Sequence, residues 1–151
     1  MKKFLLLFIV SGLIFSASSC KKKEKSCPKP EVWGVGTWKL TDVTDANGQS
    51  QLDPNDPGNQ CLLNQSEIKL NDNFNGNYVK FGNYDSNTGT CSQDSYQVSS
   101  WAENIDTKKL YISLSLPNGG NFLFDCVYID KTHFYWDYYG DGSLRVVFEK
   151  Q

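Results

Sequence analysis

Leu110-Tyr111-Ile112-Ser113-Leu114-Ser115-Leu116 places four aliphatic residues on one face of an extended chain and Tyr111, Ser113 and Ser115 on the other. Side chains alternate along a strand, so this stretch reads as a β-strand with one dry face and one wet face. The pattern recurs in both directions. Trp38 and Leu40 alternate with Thr37, Lys39 and Thr41; Ser66, Ile68 and Leu70 with Glu67 and Lys69; Val79 and Phe81 with Tyr78 and Lys80. Tyr96 to Glu103, Phe122 to Ile129 and Thr132 to Tyr138 follow, and Leu144 to Lys150 sets Leu144, Val146 and Phe148 against Arg145, Val147 and Glu149. Nothing after Cys20 keeps a helical period for long. The chain reads as all-β, with eight strands.

Asn75-Gly76, Asn118-Gly119-Gly120 and Asp141-Gly142 supply the positive φ angles of tight hairpins, so sequential strands should pair antiparallel. An open sheet would leave two edges to protect. Closure removes both and leaves room inside for side chains or one small ligand, which predicts an eight-stranded antiparallel up-and-down barrel. Between the first two strands, Asp45 to Gln60 forms a long polar loop carrying Asn47-Gly48, Asp53-Pro54 and Asp56-Pro57-Gly58, suited to covering one barrel mouth.

Met1-Lys2-Lys3, the apolar run Phe4 to Phe15 and the small residues Ser16-Ala17-Ser18-Ser19 precede Cys20. A basic start, a short apolar run and small residues make a secretory leader, and the run is too short to span a bilayer as a helix. Small residues directly before Cys resemble the lipobox of bacterial lipoproteins, although Ala17 stands where Leu is commonest. The resemblance implies that residues 1–19 are removed and that Cys20, lipidated, anchors the chain to a membrane. An ordinary leader cut after Ala17 or Ser19 would instead leave Cys20 as a thiol. Residues 20–31 then form a tether and 32–151 a single domain, long enough for one core and too short for two.

Lys21-Lys22-Lys23-Glu24-Lys25 follows the anchor, and its lysines suit anionic headgroups. From Ser26 onward nine basic residues face sixteen acidic ones, which argues against nucleic acid as a partner, because phosphate contacts need clustered cations. Some Bacteroidetes lipoproteins carry acidic residues directly after the Cys, associated with export to the surface. Lysines stand here instead, and the expected location is the cell envelope, anchored to the outer membrane and facing the periplasm.

Cys27, Cys61, Cys91 and Cys126 remain. Four cysteines in an exported chain predict two disulfides, with three connectivities open. The preferred pairing is Cys61 with Cys91, around the Ile68 to Phe81 hairpin, and Cys27 with Cys126.

Gly36-Thr37-Trp38, within Gly34-Val35-Gly36-Thr37-Trp38-Lys39-Leu40, is similar to the Gly-x-Trp motif of lipocalins and the wider calycin group, where the Trp closes one end of the barrel. The layout from lipobox to the terminal Val147-Phe148-Glu149-Lys150 resembles small Bacteroidetes lipocalin-like lipoproteins over residues 32 to 150. In that family a late Arg covers the Trp, which makes Arg145, the single arginine, the implied cation–π partner of Trp38. The chain has no room for the helix that follows larger lipocalin barrels, and shows no helical lid like that of fatty-acid-binding proteins.

Catalytic chemistry is thin. His133 is the single histidine and sits in a strand; Asp137 and Asp141 flank a hairpin; Asn71 to Gly76 mimics a calcium loop, but its twelfth position is Gly82 rather than Glu. No phosphate loop, nucleophile elbow or dinucleotide fingerprint occurs, so neither an enzyme nor a cofactor or metal is expected. Aromatic residues are abundant: Phe 9, Tyr 8, Trp 4. Phe134, Trp136 and Tyr138 share one face of strand seven and either plug the barrel or line a pocket for an apolar ligand. A small hydrophobic ligand is the preferred reading. A plugged barrel acting on an envelope protein partner through its loops, like the membrane-bound lysozyme inhibitors, is the alternative.

Overall fold

The computed structural model describes residues 31–151; the leader, Cys20, the tether and Cys27 lie outside them. Eight strands and one helix follow in order: β1 (Gly36–Asp45), α1 (Pro57–Gln65), β2 (Glu67–Leu70), β3 (Gly76–Asp85), β4 (Thr90–Asn104), β5 (Lys109–Ser115), β6 (Asn121–Tyr128), β7 (His133–Asp137) and β8 (Leu144–Lys150). Each strand pairs antiparallel with its neighbours in sequence, and β8 returns to β1 to close the barrel. The expected all-β up-and-down architecture is what the chain adopts.

Two bulges keep the apolar residues inside. Simple alternation from Leu40 would turn Asp42 inward, but the register slips between Leu40 and Asp42, so Asp42 stays out and Val43 is buried. The second slip, between Val98 and Ser100, brings Trp101 to the interior at 4% exposure. One extra residue in a strand resets its phase.

The face assigned to β3 by its apolar residues is reversed. Tyr78, opposite Ile68 in the β2 pairing, is buried, and Val79 and Phe81 turn outward. Pairing overrode local hydrophobicity: Ile68 and Leu70 had to face in, and β3 followed their register.

The helix was not expected. Asp56 caps it by accepting from the Asn59 amide, Pro57 opens the first turn, and the Ser66 amide returns to the Leu62 carbonyl. Asp-Pro-Gly, read as a turn, is equally a helix start with Pro at its first position. Leu62 and Leu63 pack on the barrel core, and Cys61 is disulfide-bonded to Cys91 on β4, as preferred from sequence. The bridge therefore fastens the helix to the barrel rather than flanking a hairpin alone.

Among the described residues Cys126 forms no disulfide; it is wholly buried in the barrel interior, where burial raises its thiol pKa well above the ordinary value. Its side chain faces the core because β6 alternates Phe124, Cys126 and Tyr128 inward. The Cys27 half of the preferred pairing falls outside the described residues.

Candidate functional site

The barrel interior is divided. Its lower half is solid: Trp38, Tyr128, Phe134 and Phe148 are at most 1% exposed, with Trp38 against Phe134 at 4.8 Å between centroids and Phe134 stacked on Phe148 at 5.1 Å. Trp38 Nε1 donates to the Gly34 carbonyl at 2.7 Å. Glu103 ties down the entering chain, accepting from the amides of Trp33 and Gly34 and from the Tyr128 hydroxyl at 2.8 Å. This is the closed end, and Gly36-Thr37-Trp38 sits in it.

Arg145 does not. Trp38 lies opposite Lys150, whereas Arg145 lies opposite Thr44, about 16 Å farther along β8 at strand rise. Arg145 points outward, over the Tyr135 ring at 4.9 Å, and donates to the Ala46 carbonyl at 3.2 Å. Lys150 occupies the place expected for the arginine: its Nζ stands 5.3 Å from the Trp38 ring and donates to the Trp33 carbonyl at 2.8 Å. An odd position on β8 faces solvent, and only the last residue can fold over the barrel rim. Gly36 makes room for it, because a Cβ there would stand 2.8 Å from Lys150 Cε, and its φ of +142° disfavours any other residue.

Above the plug the barrel is hollow. A cavity of about 590 Å³ is walled by Leu40, Val43, Tyr78, Leu114, Phe124, Trp136 and Val146, with Leu52 of the β1–α1 loop and Leu62 of α1 at its cover. The long loop thus covers the mouth as expected, with a helical segment that sequence reading missed. Trp136 and Tyr138 line the cavity; Phe134, grouped with them from the sequence, is 0% exposed in the plug. Trp136 stacks on Phe124 at 4.2 Å and meets Tyr78 edge-on at 5.7 Å.

The wall is parted near the mouth. β6 and β7 pair at three positions, Cys126 with Trp136, Val127 with Tyr135 and Tyr128 with Phe134; Asn121 to Asp125 pair with β5 alone. A groove of about 460 Å³ runs along this gap and shares Phe122, Phe124, Trp136 and Tyr138 with the cavity. Phe122, Leu123, Tyr138 and Tyr139 are 50–68% exposed around it.

The polar groups of the cavity wall are few. Lys80 is the one charged residue lining it, carried inward by the same β3 register that buries Tyr78. Lys80 forms no ion pair among the described residues, and Asp94 is its cross-strand neighbour on β4. Burial pushes the Tyr78 phenol up, so it stays protonated. Trp136 Nε1 is buried with no hydrogen-bond partner.

His133 lies on the outer surface. Its Nδ1 is 3.1 Å from Asp130 Oδ1, and the Thr132 amide, the Thr132 hydroxyl and His133 together hold the Asp130 carboxyl at about 2. That cluster shapes the β6–β7 turn. Asp137 and Asp141 likewise accept the turn amides of Gly140 and Ser143.

No family model matches the chain, and no curated protein matches it. Among solved structures it is similar to a lipocalin-like protein from Bacteroides uniformis, at 14% identity over 80% of this chain and 100% of that one, with a TM-score of 0.45. A redesigned β-barrel is similar at 15% identity over 79% and 92%, TM-score 0.42. An uncharacterized protein from Bacteroides eggerthii is similar at 12% identity over 78% and 99%, TM-score 0.41.

Proposed function

We propose that this chain is a non-enzymatic carrier or receptor that holds one small hydrophobic ligand in the upper half of its barrel. The observation that carries the reading is the cavity: about 590 Å³ of space walled by aliphatic and aromatic side chains, within the range of small-ligand sites. A plugged barrel acting through loops alone would have no such space. Burying an apolar ligand here is favourable at roughly 25 cal/mol per Å² removed from water, and the exposed aromatic rim gives it a first contact.

An environment-sensitive apolar dye should bind with 1:1 stoichiometry and quench tryptophan fluorescence, because Trp136 is in the wall. Trp136→Ala should weaken binding roughly tenfold or more through lost ring contact, and Leu114→Trp, which fills the space, should remove it while the barrel stays folded. A dye that binds native protein and the filled variant equally well would refute the reading.

The envelope setting belongs to the same proposal and rests on the leader before Cys20. Lipid on Cys20 would hold the barrel at the outer membrane, facing the periplasm, where an apolar ligand needs a water-shielded container. Cys20→Ser should move the protein from membrane to soluble fractions of its host. Mature native protein found without acyl mass on Cys20 would rule the anchor out.

A further inference from the structure

We infer that the ligand is an anionic amphiphile, an apolar body bearing one carboxylate-like headgroup, held at Lys80. The inference rests on the carrier reading and gives it a ligand class. The polar side chains among the lining residues carry hydrogen-bond donors or hydroxyls: the Lys80 ammonium, the Trp136 indole and the phenols of Tyr78, Tyr96 and Tyr138. No carboxylate, amide or imidazole side chain lines it. A ligand with a cationic or donor-only headgroup would leave these groups unmatched, whereas one that accepts hydrogen bonds and carries negative charge would satisfy them.

Two residues of the wall carry donors without a partner among the described residues. Lys80 has no salt-bridge partner among the described residues. Trp136 is 4% exposed, and its Nε1–H has no acceptor, a loss that a buried donor normally avoids. Tyr78 links the two, edge-on to Trp136 at 5.7 Å and two residues before Lys80 on the same inward face of β3. Its phenol, kept protonated by burial, is a third donor along this line. Asp94 opposes Lys80 in the strand pairing but is exposed and does not line the cavity, so it tempers the charge without replacing the ligand's.

Three probes of equal chain length separate headgroup from chain: dodecanoate, 1-dodecanol and dodecylamine, titrated calorimetrically into the intact oxidised protein below their aggregation limits. Dodecanoate should bind about tenfold more tightly than dodecanol, the value of a charge-assisted hydrogen bond discounted for partial exposure, and dodecylamine should bind most weakly. Lys80→Met should abolish the preference for the carboxylate and leave dodecanol within about twofold, while Lys80→Arg should keep it. Trp136→Phe should weaken the carboxylate and the alcohol alike, since the indole packs against the apolar body that both share. Equal binding of dodecanoate and dodecanol to native protein, or a preference that survives Lys80→Met, overturns the assignment and spares the carrier reading. Failure of all three probes to bind overturns both.

Discussion

Replacing Cys61 and Cys91 together by Ser is expected to lower unfolding stability by about 3.6 kcal/mol, the chain-entropy value for a 30-residue separation. The loss should not be spread evenly. α1 has nine residues, with no acidic side chain in its first turn and no basic one in its last, and helices shorter than about 12 residues are marginal without tertiary support. Its support is the packing of Leu62 and Leu63 on the barrel and the bridge itself. Hydrogen exchange in residues 57–65 should therefore rise by far more than in β5, whose Leu110 and Ile112 are fully buried. Because Leu62 covers the cavity, the same variant should release an apolar dye faster. Urea denaturation showing a loss below about 1 kcal/mol, or exchange unchanged in the helix, would mean that packing alone holds the cover.

The strands were readable because burial on one face forces period-two alternation, and β5, β7 and β8 obey it without interruption. Readability failed where pairing or geometry outranks local composition. In β3, Val79 and Phe81 are the more apolar pair, yet the partner strand fixes Tyr78 and Lys80 inward, so the single charged residue of the cavity wall lay hidden on what looked like a wet face. The slip at Leu40/Asp42 leaves no mark in the sequence beyond Thr41-Asp42, two residues that gain nothing from burial. α1 was missed because a nine-residue segment with apolar residues only at its centre has no period to detect; Asp56 before Pro57 was its one signal. Arg145 was chosen as the cap of Trp38 by residue type, but strand parity decides such contacts: Arg145 and Trp38 sit at opposite ends, and Lys150 reaches over the rim instead. The division of the interior into plug and cavity follows from where the largest side chains fall in register, Phe134 beside Phe148 below, Trp136 beside Val146 above, which no single strand reveals.

Trp38→Ala is expected to destabilise the barrel by roughly 3–5 kcal/mol, the range for truncating a buried aromatic residue. Trp38 is 0% exposed and ties β1 to three other strands: Phe134 on β7, Tyr128 on β6 and the Lys150 terminus of β8 all touch or cover its ring, and its Nε1–H holds the Gly34 carbonyl. Truncation removes ring packing and orphans that carbonyl, and the surrounding strands cannot collapse into the space because each is hydrogen-bonded on both sides. Lys150→Met should cost less, about 1 kcal/mol, since it removes a cation–π contact and one hydrogen bond at a half-exposed rim, and Arg145→Ala should leave the closed end untouched. Since the plug lies below Phe134 and the cavity above it, Trp38→Ala protein that remains folded should bind an apolar ligand with near-native affinity, whereas Trp136→Ala should lose it. Chemical denaturation and dye titration on the same samples separate the two effects. A Trp38→Ala variant that is as stable as the native protein, or that keeps its stability and loses the ligand, would show that the ends of the barrel are not divided in this way.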